Sequence, residues 1–275
     1  MKLSFTKMHG LGNDFIVVDC RGKAIPAPGK VLKRLSDRRF GIGFDQALIL
    51  KKPSKGIQAD FRMDIYNSDG ARVEMCGNGI RCLANYIWKR RLSTKQRLDI
   101  ETLAGIIRPK KDGKLVRVDM GEPVLEGRAI PALKDGMIKD YPFIAGDKTF
   151  RMTCVSMGNP HAVIFVRDVD SFPVEIYGPI IENSKFFPKR TNVEFIEVTS
   201  SKRIKMRVWE RGGGQTLACG TGACAALVAS SLNGFTGTNI SVVLKGGTLK
   251  IEWPKQGRVY MTGPAQEVFK GSVDV

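Results

Sequence analysis

The chain has 275 residues, 43% of them hydrophobic, with 44 Lys plus Arg against 27 Asp plus Glu and a formal net charge of +17. That length holds one large core or two ordinary domains, and no apolar run is long enough for a membrane-spanning helix. The opening MKLSFTKMHGLGND lacks the pattern of a secretory signal, so a soluble cytoplasmic protein without membrane association is expected. Basic residues recur in KRLSDRR, KKPSK, WKRRLSTKQR and RPKKDGK rather than in one module. This predicts nonspecific attraction to polyanions and no specific nucleic-acid partner.

In chain order, FIVVD from Phe15 to Asp19 reads as a strand, PGKVLKRLSDRR as a short helix after Pro28, and FRMDIYN as a strand by apolar alternation. Gly77 to Trp88 enters a helix, and LVRVDM from Leu115 to Met120 returns to a strand. After a Gly/Pro-rich transition come strands TCVSM and HAVIFV, a turn region at PVEIYG, strands VEFIEV and RIKMRVW, and a second cysteine helix. The stretch SVVLKGGTLKIEWPKQGRVYMTG adds at least two strands separated by glycine turns. Two mixed α/β domains with considerable antiparallel sheet are expected.

One unusual segment occurs twice, as MCGNGIRCLANY from Met75 to Tyr86 and as ACGTGACAALVA from Ala218 to Ala229. Cys76 and Cys219 are 143 residues apart, and Asn67 and Glu210 share that separation. Asn13 and Asn159 each precede an apolar run at nearly the same offset, and VDMGEP near Gly121 resembles YMTGPA near Gly263. Internal duplication is the economical explanation.

The repeated words suit acid/base chemistry. A thiol titrates nearer neutrality than other uncharged side chains, and the unpaired N–H groups of a helix start favour thiolate and carboxylate charge. Gly77 and Gly79, or Gly220 and Gly222, let backbone pass close to a small ligand. Two matched thiols on facing domains would remove a proton from one face of a carbon and return one to the other, inverting it without a redox cofactor. The residues alone leave this reading beside a plainer one, duplicated core cysteines at helix starts. Cys20, Cys82, Cys154 and Cys224 read as buried structural thiols, since an even cysteine count does not make a disulfide framework in a chain of this size.

The ordered set KMHGLGNDF, GIGFDQ, YNSDG, MCGNGIRC, MGNPH, TNVEF, WERGGGQT and ACGTGACAA closely resembles diaminopimelate epimerases over essentially the whole chain. The resemblance implies an α+β, internally duplicated fold of two mixed-sheet domains, each curled around a central helix, with the active site between them. Residues 1–122, completed by 265–275, would form the first domain and 123–264 the second. It further implies cofactor-independent interconversion of LL- and meso-2,6-diaminopimelate in lysine biosynthesis, by a homodimer.

On this resemblance Cys76 and Cys219 are the opposed proton-transfer residues. Gly77 and Asn78, with Gly220 and Thr221, would hold the carboxylate of the reacting centre. Asn13, Asn67, Asn159 and Asn192 would bind substrate largely at its distal end, Glu210 would accept from an ammonium, Arg211 would clamp a carboxylate, and Gln46 would support the cysteine site. His161 is a possible supporting residue and reads equally as structural, whereas His9 reads as more structural than catalytic. With only two histidines and no Cys/His ligand spacing, no metal site is expected, nor does any nucleotide-binding fingerprint occur. Gln215 departs from the glutamate of the family's WERGxGET pattern, which would matter if that position tuned Arg211. Two alternatives use the same architecture, a proline or hydroxyproline epimerase and a catalytically inactive binding protein. The charged YNSDG and WERG blocks, and Asn78 in place of the histidine of MCGHG, speak against the first.

Overall fold

The computed structural model describes residues 2–74 and 76–275; Met75, the first residue of the earlier repeated segment, lies outside the described residues, as does Met1. The chain divides into two units, residues 1–118 with 263–275 and residues 119–262.

The first unit contains β1 (Lys2–Gly10), β2 (Asn13–Asp19), α1 (Pro28–Ser36), β3 (Gln46–Lys51), β4 (Phe61–Asn67), β5 (Arg72–Val73), α2 (Gly77–Lys89), β6 (Ile100–Thr102) and β7 (Gly105–Ile107). The hairpin β8 (Lys110–Asp112) and β9 (Leu115–Gly121) follows, and the division between units falls within β9. The second unit runs through β10 (Tyr141–Ala145), β11 (Lys148–Ser156), β12 (Pro160–Phe165), α3 (Val174–Glu182), β13 (Asn192–Ser200), β14 (Arg203–Glu210), β15 (Gly214–Thr216), α4 (Gly220–Leu232), β16 (Asn239–Leu244), β17 (Gly247–Glu252) and β18 (Val259–Gly263). The last strand, β19 (Gln266–Asp274), returns to the first unit.

In the first unit the sheet order is β19-β1-β2-β3-β4-β6-β7, with β5 added to β4. β2 runs parallel to β3 and β4 parallel to β6, whereas β1–β2, β3–β4 and β1–β19 are antiparallel. Phe15, Ile16, Val17 and Val18 are all buried, as expected of a central strand covered on both faces. α2 packs on β1, β2, β3 and β19 through Ile80, Leu83, Ala84 and Ile87, whose spacing sets them on one helical face. The distant C-terminal segment is pinned to that helix: Arg81 Nε donates to Pro264 O at 3.2 Å and Asn85 Nδ2 to Ala265 O at 2.7 Å.

The second unit repeats the plan in the order β10-β11-β12-β13-β14-β16-β17-β18, with β15 on β14. β12–β13 and β14–β16 are its parallel pairs. α4 is buried from Gly222 to Ser230 and packs on β11, β12, β13, β14, β16 and β17. A helix apolar all round has no face for water and belongs inside, and Ala223, Ala225, Ala226 and Ala229 keep it slim enough for strands to approach. The two sheets share a register. Phe15 pairs with Gln46 and Gln46 with Asn67 in the first unit. His161 pairs with Asn192, and Val193 with Trp209, in the second.

One predicted element needs correction. PVEIYG is not a turn region; it begins α3. Val174, Tyr177, Gly178 and Ile181 are buried at positions i, i+3, i+4 and i+7, a helical stripe, but Pro179 inside the helix breaks the usual sequence signal. Pairing the stripe with β14 stabilises it, with about 1.5–3 kcal/mol for each fully buried Val or Ile. Gly178 is required there because a Cβ would lie 2.5 Å from the Trp209 ring. Trp209 Nε1 in turn donates to Glu182 Oε2 at 2.7 Å.

Candidate active site

Each unit places a cysteine at the N-cap of its central helix. Cys76 has extended backbone (φ −144°, ψ 112°), and its Sγ accepts from Gly79 N at 3.3 Å. Cys219 is equally extended (φ −116°, ψ 114°), and its Sγ accepts from Gly222 N at 3.4 Å. Sulfur thus takes the capping role more often given to Ser, Thr, Asp or Asn, and it lies where the helix field favours the thiolate.

In the first unit, the starts of β2 and β3, the end of β4 and the start of α2 bring the expected residues together. Asn13 Oδ1 lies 3.9 Å from Cys76 Sγ and accepts from Asn78 Nδ2 at 3.3 Å. Asn13 Nδ2 donates to Asp45 Oδ2 at 2.8 Å. Asp45 is itself held by Arg38, which also binds Asp14. Gln46 Nε2 donates to Asn67 Oδ1 at 2.8 Å across β3 and β4. The first set of bonds gathers Asn13, Asn78 and Cys76, and the second fixes Asn67 through Gln46. His9 takes a local role, its Nδ1 accepting from Gly12 N at 3.3 Å.

In the second unit, Thr221 Oγ1 lies 3.5 Å from Cys219 Sγ. Asn192 Nδ2 donates to Pro160 O at 2.8 Å, and its Oδ1 accepts from Arg211 N at 3.0 Å. The exposed Arg211 guanidinium donates to Lys189 O at 3.2 Å. Glu210 accepts from the Thr216 hydroxyl. His161 is fully buried, with Nε2 3.0 Å from Asn159 Oδ1 and Nδ1 2.7 Å from Glu194 Oε1. Burial pushes the Cys219 thiol well above its ordinary value; Glu210 and then Glu194 push the same way, against the Thr221 hydroxyl and the Gly222 N–H.

Glu194 was missed in the sequence. The signal available was its place two residues after Asn192 in TNVEF, since alternate residues of a strand share a face. Gln215 does not touch Arg211 in any hydrogen bond among the described residues. Its Oε1 accepts from Arg207 Nε at 2.8 Å and its Nε2 donates to Glu175 Oε1. All six cysteines are free thiols. Burial pushes Cys82 up to about 12, against the nearby Arg81, and raises Cys154 and Cys20 as well, which suits packing rather than reactivity. Among the described residues the one acidic group with metal-like spacing is Asp168, Asp170 and Glu197, where Lys205 Nζ already lies 2.9 Å from Asp170 and 3.6 Å from Glu197.

Comparison with solved structures defines the class first. A PhzF-family phenazine biosynthesis protein from Enterococcus faecalis is similar with a TM-score of 0.76 and 14% identity, covering 100% of both chains. A hydroxyproline epimerase from Agrobacterium vitis is similar with a TM-score of 0.71 and 15% identity, covering 99% of this chain and 92% of that one. At such low identities these structures show a shared fold and nothing finer. The sequence narrows it: the family model "Diaminopimelate epimerase" matches residues 5–126 and 153–268. Diaminopimelate epimerases of Acetivibrio thermocellus and Pelotomaculum thermopropionicum are 52% and 53% identical over 280 and 278 residues, covering 99% and 98% of both chains. The chain belongs to the diaminopimelate epimerase family.

Proposed function

We propose that the protein interconverts LL- and meso-2,6-diaminopimelate, the epimerisation that serves lysine biosynthesis, with Cys76 and Cys219 as its two proton carriers. The observation that carries this reading is the matched pair of cysteine N-caps in a chain 52% identical to a diaminopimelate epimerase along its whole length. One thiolate removes the α-proton and the other thiol protonates the opposite face; reversing the reaction exchanges the roles. The carbanion-like charge requires preorganised N–H donors, and the helix starts at Gly77, Asn78, Gly220 and Thr221 are suited to the adjoining carboxylate. Asn13, Asn67, Asn159, Asn192, Glu210 and Arg211 recognise the substrate's distal amino-acid end, with Gln46 holding Asn67. His161 supports the second thiol.

No helix among the described residues is long and apolar enough to cross a membrane. We place the enzyme in the cytoplasm, as a homodimer. The exposed strand β19, with Val268 and Phe269 56% and 47% exposed, offers an unpaired sheet edge for such an association.

The test is incubation of reduced protein with stereochemically pure LL-diaminopimelate in deuterated water. Meso product carrying deuterium at the inverted α-carbon is expected. Folded protein that yields neither product nor exchange, or that inverts only proline or hydroxyproline, overturns the assignment.

A further inference from the structure

The internal repeat lets each site residue be compared with its counterpart on the same framework. Phe15 pairs with Gln46 where His161 pairs with Asn192, so His161 occupies the place of Phe15. Two residues along the strand, Glu194 occupies the place of Leu48. The glycine in the first turn of each cysteine helix marks the same point: a Cβ on Gly79 would meet Leu48 Cδ2 at 3.0 Å, and one on Gly222 would meet Glu194 Oε1 at 2.6 Å. All four side chains are fully buried. One repeat therefore packs a Phe/Leu pair where the other packs a His/Glu pair.

The apolar pair shows that the architecture does not need charge at this point, and burying a carboxylate is costly unless it is fully paired. Here the pairing is partial. His161 Nδ1 reaches Glu194 Oε1, whereas Oε2 is buried with no hydrogen-bond partner among the described residues. Oε1, the oxygen that meets His161, also packs against the first turn of α4, whose N-terminal field favours a negative charge. A carboxylate settled in that field makes a second negative charge, on Cys219, less favourable. Burial disfavours the Cys219 thiolate most, then Glu210 from β14 and Glu194 from β13, with the Thr221 hydroxyl and Gly222 N–H from α4 opposing them. His161 from β12 acts on it through Glu194.

We infer that Glu194, held by His161 beneath Gly222, is a positioning residue that adds to burial and Glu210 in keeping Cys219 in the thiol form in the resting protein, ready to donate a proton. This rests on the reading of Cys219 as an acid/base group, while Glu194 itself touches no reacting atom. The second repeat has thereby been made electrostatically different from the first by two substitutions on a common frame.

The experiment is alkylation with iodoacetamide across pH, with Cys76 and Cys219 peptides quantified separately by mass spectrometry. In the wild-type chain the Cys219 midpoint should lie above that of free glutathione in the same buffer; a midpoint at or below it overturns the inference. Glu194→Gln keeps the shape and removes the charge, and should speed Cys219 alkylation at neutral pH by about tenfold, one unit of midpoint, with Cys76 unchanged. The double variant His161→Phe/Glu194→Leu copies the first repeat and should shift Cys219 the same way even if the single variant does not fold. A folded variant whose Cys219 midpoint matches wild type overturns the inference. Turnover of diaminopimelate by the wild type is measured alongside. Normal turnover with an unmoved midpoint sinks the role of Glu194 alone, whereas a moved midpoint without any turnover sinks the epimerase reading.

Discussion

Cys76 and Cys219 have matching backbones and unlike surroundings, and single substitutions should separate their roles from those of their neighbours. Cys76→Ala and Cys219→Ala should each lower turnover by about 10²- to 10⁴-fold, the range for a positioned acid or base. Chiral chromatography of the product, with circular dichroism to check folding, measures this, and near-normal turnover in either variant rules out the two-thiol scheme. Arg211 is exposed and spends one N–H on Lys189 O, leaving donors for a substrate carboxylate. Arg211→Ala should raise KM by about 10- to 100-fold, matching about 1.5–3 kcal/mol for a charged hydrogen bond, with an unchanged KM counting against that contact. Gln215 belongs to a different arginine. Gln215→Glu would keep the bond from Arg207 but set a carboxylate against Glu175. A loss of about 1 kcal/mol in stability, with KM within about twofold of wild type, is the expected result; a KM elevated tenfold would tie Gln215 to the substrate after all.

Both cysteine helices were legible from the same cue, a cysteine and glycines ahead of an apolar run, yet their first turns differ in what lies below. Leu48 can swing its methyl aside, whereas Glu194 is fixed by His161. Gly222→Ala should accordingly destabilise the protein by about 1–3 kcal/mol, the usual cost of overpacking, and more than Gly79→Ala. Denaturant titration of the two variants decides; equal costs would mean that Glu194 is not held. α2 could be recognised by its apolar stripe, and α4 only by its flanking motif, because a helix with no polar face has no periodicity to read. α3 escaped recognition because Pro179 hides a stripe that becomes visible once Trp209 is seen packing against Gly178.

Across the whole molecule, carboxylates locked into ion pairs link stability to pH. Burial alone would raise Asp14, but hydrogen bonds from Arg38 and Lys7 prevail and hold it far below the usual carboxylate range. Burial likewise opposes Lys51, Arg62 and Arg72 at Asp64, which ends below its ordinary value. A carboxyl with a depressed folded pKa contributes stability that is complete above its unfolded value, about 4, and disappears as pH falls through the folded value. The urea midpoint should hold from pH 7 to about 5 and decline below about 4; an equal midpoint at pH 7 and pH 3 would contradict this linkage. Local residue order sufficed for the duplication, the two cysteine helix starts and the family, because a repeated motif and its spacing survive in one dimension. It also sufficed for about half of the strands, those marked by an apolar run or by alternation, whereas β1, β3 and β19 were not read from it. Only the tertiary structure decided that Gln215 serves Arg207 and that Glu194 lies beneath Gly222. Those facts depend on strand register and buried charge, which bring together residues whose separation along the chain carries no trace of their contact.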